Sequence, residues 1–232
     1  MSPAYDDRMT TRRLYIHGAG RRGAAAWPHV GPGADSTFVS FPPDSSISDQ
    51  VRTLVAEHSG VRTLLFAHSI GAVPAVLAAR RLDLVGIVLV EPALYDIARG
   101  DEAIERHIAI VSEARSQADA GELRSFWAIF RPLMFGGPFD PVTWDVERAA
   151  AERWATTNLP WGHGVRAATL TGIPTLVITG GWNAEYERIA AHLASDGAEH
   201  IVLPGAAHRA QDAPGFAAAM AAFERDLGVP DH

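Results

Sequence analysis

Cysteine is absent from the 232-residue chain. This absence excludes disulfide bonds, metal sites built on thiolates and a cysteine nucleophile. It carries little information about the compartment in which the protein works.

Clusters of basic residues are also lacking. The formal net charge is −7, and phosphate binding requires grouped lysine and arginine side chains. Nucleic acid and anionic membrane surfaces are therefore not expected as partners. The few adjacent basic residues are isolated pairs that we interpret as solvated edges: Arg12-Arg13, Arg21-Arg22 and Arg80-Arg81.

No apolar run approaches the roughly 20 residues needed to cross a bilayer. The first fifteen residues contain Asp6, Asp7 and several arginines but no apolar segment typical of a secretory signal. We therefore expect a cytoplasmic protein. A chain with 47% hydrophobic and 20% charged residues is an ordinary globular protein, long enough for one domain with an insertion.

Short apolar runs alternate with helical patterns along most of the chain. This alternation predicts an α/β fold, in which a mainly parallel sheet is covered by helices on both faces. The run at Val85–Val90 is apolar throughout, as is typical of a parallel strand buried on both sides. The six predicted strands are Leu14–Ile16, Phe38–Phe41, Leu64–Phe66, Val85–Val90, Pro174–Thr179 and His200–Leu203.

The pattern changes between residues 93 and 162, where helical spacing replaces the strand-like runs. Four of the six tryptophans fall in this segment. We interpret residues 93–162 as a helical cap or lid inserted into a core of residues 1–92 and 163–232. Its aromatic side chains could pack against the core or form a wall of an apolar substrate pocket.

A serine stands where the third predicted strand turns into a helix, in Ala67-His68-Ser69-Ile70-Gly71. A sharp strand–turn–helix presents such a serine as a nucleophile, and small neighbours let other backbone approach. The helix N-terminus would point free N–H groups at the same place. The alternative is a serine that only caps the helix.

The order of these features resembles the α/β-hydrolase family, over nearly the whole chain from Leu14 to Leu227. The turn at Ser69 and the final Pro204-Gly205-Ala206-Ala207-His208 loop are its most specific parts. Ala67 replaces the first glycine of the usual Gly-x-Ser-x-Gly, which keeps a small residue there. The resemblance implies a doubly wound sheet of about six strands, without the leading antiparallel hairpin of many members.

The resemblance also implies roles for single residues. Ser69 would be the nucleophile and His208 the base, because a serine hydroxyl needs a partner that accepts its proton near neutral pH. The backbone N–H groups of Ala19 and Ile70 would form the oxyanion hole. His17 would shape the loop before Ala19, and His68 is interpreted as structural.

The acid of the triad is the point at which the sequence departs from the family. Asn183 occupies the position that usually holds an aspartate, and an amide cannot stabilise an imidazolium. Either the enzyme is impaired or another carboxylate serves. Glu185 would lie in a first helical turn, where the helix dipole already favours an acid. Glu91 ends an apolar strand, where an unpaired charge would be costly, so we favour Glu91.

A serine nucleophile predicts acyl transfer to water through an acyl-enzyme. We expect a serine hydrolase, of the esterase or lactonase type, that acts on a small or medium apolar ester, thioester or lactone. No cofactor or metal is expected, and the oligomeric state is left open. The alternatives are a lyase or cofactor-free oxygenase on the same scaffold, and a ligand-binding protein with a decayed triad.

Overall fold

The computed structural model describes residues 11–31 and 33–229. The chain divides into two compact units. One comprises Met1–Ala98 and Leu159–His232, and the other comprises Arg99–Asn158.

A single six-stranded parallel sheet forms the centre of the first unit, in the order β2-β1-β3-β4-β5-β6. The prediction of six strands is confirmed, and each lies within three residues of its expected bounds. The strands are β1 Arg12–Ile16, β2 Ser36–Val39, β3 Arg62–His68, β4 Asp83–Val90, β5 Thr175–Thr179 and β6 Glu199–Val202. No antiparallel strand occurs within the described ranges, and residues 1–10, where a leading hairpin would begin, lie outside them.

The described residues of this unit form four α-helices: α1 Ile47–His58, α2 Ala72–Ala78, α6 Ala184–Ser195 and α7 Phe216–Asp226. Helix α1 begins where Ser46 and Asp49 form a reciprocal capping box, which satisfies two otherwise free N–H groups. A 3-10 turn at Ser69–Gly71 precedes α2, so Pro74 lies in the first turn of the regular helix. Proline is tolerated there because the first N–H groups need no helical partner.

Helix α7 begins later than the sequence predicts. We expected its start near Asp212 and Pro214, but the helix begins at Phe216. The Asp212 carboxylate instead pairs with Arg209, at 2.5 and 2.8 Å, so it does not cap the helix. The Asp212 side chain thus pairs with Arg209, three residues earlier in the chain, in place of capping the helix.

One face of the sheet carries an aromatic core against α7. The rings of Tyr15 and Phe66 stack at 4.5 Å, and Phe216 and Phe223 of α7 pack on the same cluster. At the margin of this face Arg13 of β1 makes a two-pronged ion pair with Glu224 of α7, at 2.6 and 3.1 Å. A cavity of about 740 Å³ is lined by α7 and by His29, Val30, Gly31 and Gly33.

The second unit contains three helices, α3 Glu102–Asp119, α4 Leu123–Phe135 and α5 Trp144–Thr156. Its centre is aromatic, with Phe130 packed 5.1 Å from Phe126 and 5.5 Å from Trp154. The carboxylate of Glu147 accepts hydrogen bonds from Trp127 and Arg131, which joins α4 to α5. The role of residues 93–162 as a cap stays a prediction. Trp161 belongs to the first unit, where its ring lies 5.7 Å from Tyr95.

No helix among the described residues is long and apolar enough to span a membrane.

Candidate active site

Ser69 lies at the carboxyl end of β3 with a left-handed backbone, at φ 54°. This conformation is uncommon for a residue with a side chain and is found where a tight turn enforces it. The loop after β1 packs directly on the turn. A Cβ added to Gly71 would lie 2.3 Å from the carbonyl oxygen of His17, and one added to Gly18 would lie 2.9 Å from the Ser69 Cβ. Gly71 is therefore required by contact with the His17 backbone, and Gly18 by contact with the Ser69 side chain.

His208 follows β6 and reaches Ser69 across the sheet edge. Its Nε2 lies 3.1 Å from the Ser69 Oγ, within hydrogen-bond distance. Gly180 packs against the loop that carries His208, and a Cβ added to Gly180 would lie 2.3 Å from the carbonyl oxygen of Ala207. Ala207 itself has a left-handed backbone, at φ 49°. The imidazole is thus placed by a strained, closely packed loop.

Glu91 directly follows β4, and its side chain is completely buried. Like Ser69 and Ala207, it has a positive φ. One carboxylate oxygen accepts the backbone N–H of Gly180 at 2.5 Å, and the other accepts the indole N–H of Trp182 at 3.0 Å. The second oxygen also lies 3.5 Å from the Nδ1 of His208. The two donated hydrogen bonds compensate much of the cost of burying a charge.

The Nδ1 of His208 is buried and has no hydrogen-bond partner among the described residues that meets the usual geometry. Glu91 at 3.5 Å is the acceptor beside it. In free enzymes such contacts are often long, and they tighten in the complex with substrate or at the transition state. Ser69, His208 and Glu91 therefore form one row, with a hydroxyl, an imidazole and a carboxylate in sequence.

The sequence profile of the Alpha/beta hydrolase family matches residues 11–220. The chain belongs to this family. Membership supports a hydrolase in general, on the fold that the sequence predicts. A search of curated proteins gives no match.

Many solved structures share the fold of this alpha/beta hydrolase. NosK from Streptomyces actuosus is 22% identical with a TM-score of 0.58, over 94% of this chain and 99% of that one. A carboxylesterase structure from Nitrososphaera gargenis is 15% identical, with a TM-score of 0.56 and coverage of 97% and 93%. The thioesterase domain from the curacin biosynthetic pathway is 19% identical, with a TM-score of 0.53 and coverage of 94% and 92%. At these identities the likeness concerns the fold alone.

Asn183, at the usual acid position of an alpha/beta hydrolase, serves as a helix cap. Its Oδ1 accepts the backbone N–H of Glu185 at 2.8 Å and that of Tyr186 at 3.4 Å. Asn183 is thus the N-cap of α6, and Glu185 lies in the first turn as expected. The side chain is therefore explained by the helix that it begins.

His68 supports the loop that carries His208, a contact that the sequence does not disclose. Its Nε2 donates to the backbone carbonyl of His208 at 2.8 Å. Burial, and then the nearby charge of His208, lower the pKa of His68 from 6.5 to about 3. His68 is therefore neutral near pH 7 and places no positive charge beside His208.

His17 is buried beside the turn, and its Nδ1 lies 2.6 Å from the carbonyl oxygen of Gly18. Burial lowers its pKa. Ala19 lies two residues after His17 in this loop, and Ile70 follows Ser69 in the 3-10 turn. Their service as oxyanion donors stays a prediction.

Two aromatic residues after β5 complete the surroundings of His208. The Trp182 ring meets the imidazole edge-on at 6.0 Å, and the Tyr186 ring lies 5.0 Å away. Sequence reasoning assigned neither residue a role. The sequence did offer a signal that they lie near the site, because both follow the strand whose end usually supplies the acid of the triad.

Among the described residues, no group of three or more His, Asp and Glu side chains is arranged to hold a metal ion.

Proposed function

We propose that this chain is a serine hydrolase that cleaves a small or medium apolar ester, thioester or lactone through an acyl-enzyme. The observation that carries the proposal is the 3.1 Å approach of the His208 Nε2 to the Ser69 Oγ. The buried Glu91 carboxylate on the other side of the imidazole supports it. A serine that only caps a helix would need neither neighbour.

In the first half of the reaction, the Ser69 Oγ attacks the carbonyl carbon and its proton passes to the His208 Nε2. The carbonyl π electrons move to the oxygen, and the N–H groups of Ala19 and Ile70 stabilise that charge. His208 then gives its proton to the departing alcohol or thiol as the carbon–heteroatom bond breaks. An acyl group remains on Ser69.

In the second half, water attacks the acyl carbon and gives a proton to His208. The bond to Ser69 breaks, His208 returns the proton to Oγ, and the acid leaves. Glu91 keeps its charge throughout and stabilises the imidazolium that forms twice. The hydrogen bonds from Gly180 and Trp182 hold the carboxylate in place for this task.

A fluorophosphonate probe tests the proposal, because it forms a stable covalent bond only with an activated hydroxyl. The purified chain should be labelled at Ser69, and Ser69→Ala should abolish both labelling and turnover of p-nitrophenyl esters. Absence of labelling would refute the proposal. A panel of esters, thioesters and lactones of different chain length would then define the substrate.

The same variants separate the alternatives. A lyase or cofactor-free oxygenase that uses His208 as a base would keep its activity in Ser69→Ala and lose it in His208→Ala. A ligand-binding protein would bind panel members without turnover. The main argument for a decayed triad is that Asn183 occupies the usual acid position. That argument is weakened because Asn183 caps α6 and because the buried Glu91 carboxylate lies beside His208.

A further inference from the structure

Trp182 presents a large apolar surface to solvent beside the imidazole of His208. It is 50% exposed, and its ring meets that of His208 edge-on at 6.0 Å. The Tyr186 ring also contacts the imidazole, but Tyr186 is only 9% exposed. Trp182 therefore supplies an open aromatic surface at this position, where Tyr186 does not.

The exposed ring is held in one orientation. Its indole N–H donates to the Glu91 carboxylate at 3.0 Å, and the ring packs 6.0 Å from that of Tyr186. Glu91 is itself completely buried and accepts a second hydrogen bond from Gly180. A surface that is already ordered loses little side-chain entropy when a ligand binds to it. Trp182 thus has the properties of a preformed contact surface, which a freely rotating surface tryptophan lacks.

Acyl transfer places the departing half of the substrate next to His208. The His208 Nε2, which lies 3.1 Å from the Ser69 Oγ, must come within hydrogen-bond distance of the departing oxygen or sulfur in order to protonate it. The substituent on that atom therefore extends past the imidazole, whereas the acyl group is bonded to the carbon attached to Oγ. The departing half is thus the one that lies beside the ring on which Trp182 packs.

A flat group suits this surface. A cage for a quaternary ammonium ion uses several ring faces, and Trp182 offers one exposed ring. One ring can pack against another in an offset or edge-to-face arrangement, and such aromatic pairs gain more than their buried area alone provides. A saturated ring of the same size gains only the buried area.

We propose that Trp182 is a specificity-determining residue whose exposed indole packs against an aromatic ring on the departing alcohol or thiol. The preferred substrates are then esters or thioesters whose departing group carries an aryl ring. The hydrogen bond to Glu91 keeps the indole in place for this contact. The inference rests on the proposed hydrolase function and names a substrate class for the same site.

Benzyl acetate and cyclohexylmethyl acetate provide the test. They share one acyl group, and their departing alcohols are similar in size but differ in whether the ring is aromatic. The ratio of their kcat/KM values cancels any effect that a substitution has on the row of Ser69, His208 and Glu91. We expect the unaltered chain to prefer the benzyl ester by about 2–12-fold, the gain of an aromatic pair.

Trp182→Phe and Trp182→Leu form the matched pair of variants. Both remove the donor to Glu91, so both should lower kcat/KM for either ester, but only Trp182→Phe retains a ring. Trp182→Phe should therefore keep the preference for the benzyl ester, and Trp182→Leu should lose it. An equal ratio in all three proteins would overturn the inference, because a residue that acts through Glu91 alone changes both esters alike.

Methyl phenylacetate and methyl cyclohexylacetate carry the ring on the acyl side instead. Their ratio should be the same in the three proteins. A ratio that follows the residue at position 182 would place the contact on the acyl group and overturn the inference.

Fluorophosphonate labelling separates this inference from the proposed function. An unaltered chain that is not labelled refutes the function itself. If the chain is labelled but turns over neither acetate, benzyl alcohol and cyclohexylmethanol are compared as competitors of labelling. Benzyl alcohol should protect Ser69 more strongly, and Trp182→Leu should abolish the difference. Equal protection of the unaltered chain would contradict the inference.

If Trp182→Leu is not folded by circular dichroism, fluorine NMR of the unaltered sequence labelled with fluorotryptophan replaces it. The signal that is missing from Trp182→Phe belongs to Trp182. It should shift when benzyl alcohol is added and stay in place with cyclohexylmethanol. A signal that neither alcohol moves, or that both move equally, would overturn the inference.

Discussion

Glu91 combines a buried charge, an uncommon backbone conformation and two accepted hydrogen bonds. Its side chain is completely buried, its backbone is left-handed, and its two oxygens accept hydrogen bonds from Gly180 and Trp182. A buried carboxylate with these donors stays in place while the imidazole beside it changes charge. The residue therefore suits an acid that acts through His208 and never touches the substrate.

The first prediction concerns the choice between two carboxylates. Glu91→Gln should lower kcat by about 10²–10⁴-fold, because an amide cannot stabilise the imidazolium. Glu185→Gln is the matched control and should keep kcat within about threefold, since Glu185 lies in the first turn of α6, where the helix dipole already favours an acid. Steady-state kinetics on one ester decides. Full kcat in both variants would show that the triad is assigned wrongly.

The second prediction concerns the pH dependence of stability. The pKa of His68 is about 3 in the folded chain and 6.5 as the ordinary value. Below pH 6.5 the unfolded chain therefore binds a proton that the folded chain does not. The free energy of unfolding should fall by about 1.4 kcal/mol per pH unit from this residue alone, down to about pH 3.

Urea unfolding at pH 7, 6 and 5 measures this effect. His68→Asn retains a donor for the His208 carbonyl and removes the titrating group, so its stability should fall less steeply toward acid pH. Parallel curves for the two proteins would contradict the lowered pKa.

At the scale of elements, the segment between β5 and α6 connects the residues around the site. Gly180 donates to Glu91 and touches Ala207, Trp182 meets both Glu91 and His208, and Asn183 starts the helix. The geometry of His208 thus depends on a segment that contributes no acid of its own.

The third prediction follows from the contact at Gly180. In Gly180→Ala the new methyl group would overlap the backbone of Ala207, at 2.3 Å from its carbonyl oxygen. Backbone must move, and a shift of about 1 Å at a reacting group can cost about 10²-fold in rate. We expect kcat/KM to fall by at least about tenfold.

Gly31→Ala is the control, because a Cβ there would meet nothing within 4 Å. It should keep kcat/KM and the midpoint of thermal unfolding. Unaltered kcat/KM in Gly180→Ala would mean that the His208 loop tolerates the shift.

At the scale of the whole molecule, the sheet was predictable and the fine structure of the site was not. Continuous apolar runs such as Val85–Val90 indicate buried parallel strands, because covered strands have no polar face. Ser69 and His208 could be placed because Ser69 directly follows β3 and His208 lies in the loop after β6, and parallel strands end at one edge. The bonds of Gly180 and Trp182 to Glu91 join residues far apart in the chain, and no local pattern encodes them. The start of α7 was missed for a related reason, since Asp212 had a competing partner in Arg209.

The fourth prediction concerns the ion pair between β1 and α7. Arg13 and Glu224 are 3% and 8% exposed and meet at 2.6 Å. Arg13→Leu would leave a buried carboxylate unpaired, at a cost of about 3–5 kcal/mol in the free energy of unfolding. The double variant Arg13→Leu/Glu224→Leu should recover most of that loss, because no charge is then stranded.

Arg148→Leu is the comparison at the surface, where Arg148 and Glu152 meet at 3.0 Å on an exposed face of α5. It should change the free energy of unfolding by less than about 1 kcal/mol. Urea unfolding of the four proteins provides the measurement. A double variant as unstable as Arg13→Leu would show that the loss arises from packing.

The position of residues 99–158 between β4 and β5 also has a consequence for biosynthesis. Strand β4 is apolar over most of its length, and its partner β5 begins at Thr175. On the ribosome, at about 5–20 residues per second, the roughly 80 residues between these strands take about 4–16 s to make. Throughout that interval one edge of β4 has no neighbour and Glu91 lacks both of its donors. Newly made chains are therefore most exposed to edge-to-edge association before β5 emerges, and chaperones that cover apolar strands should raise the yield of folded protein.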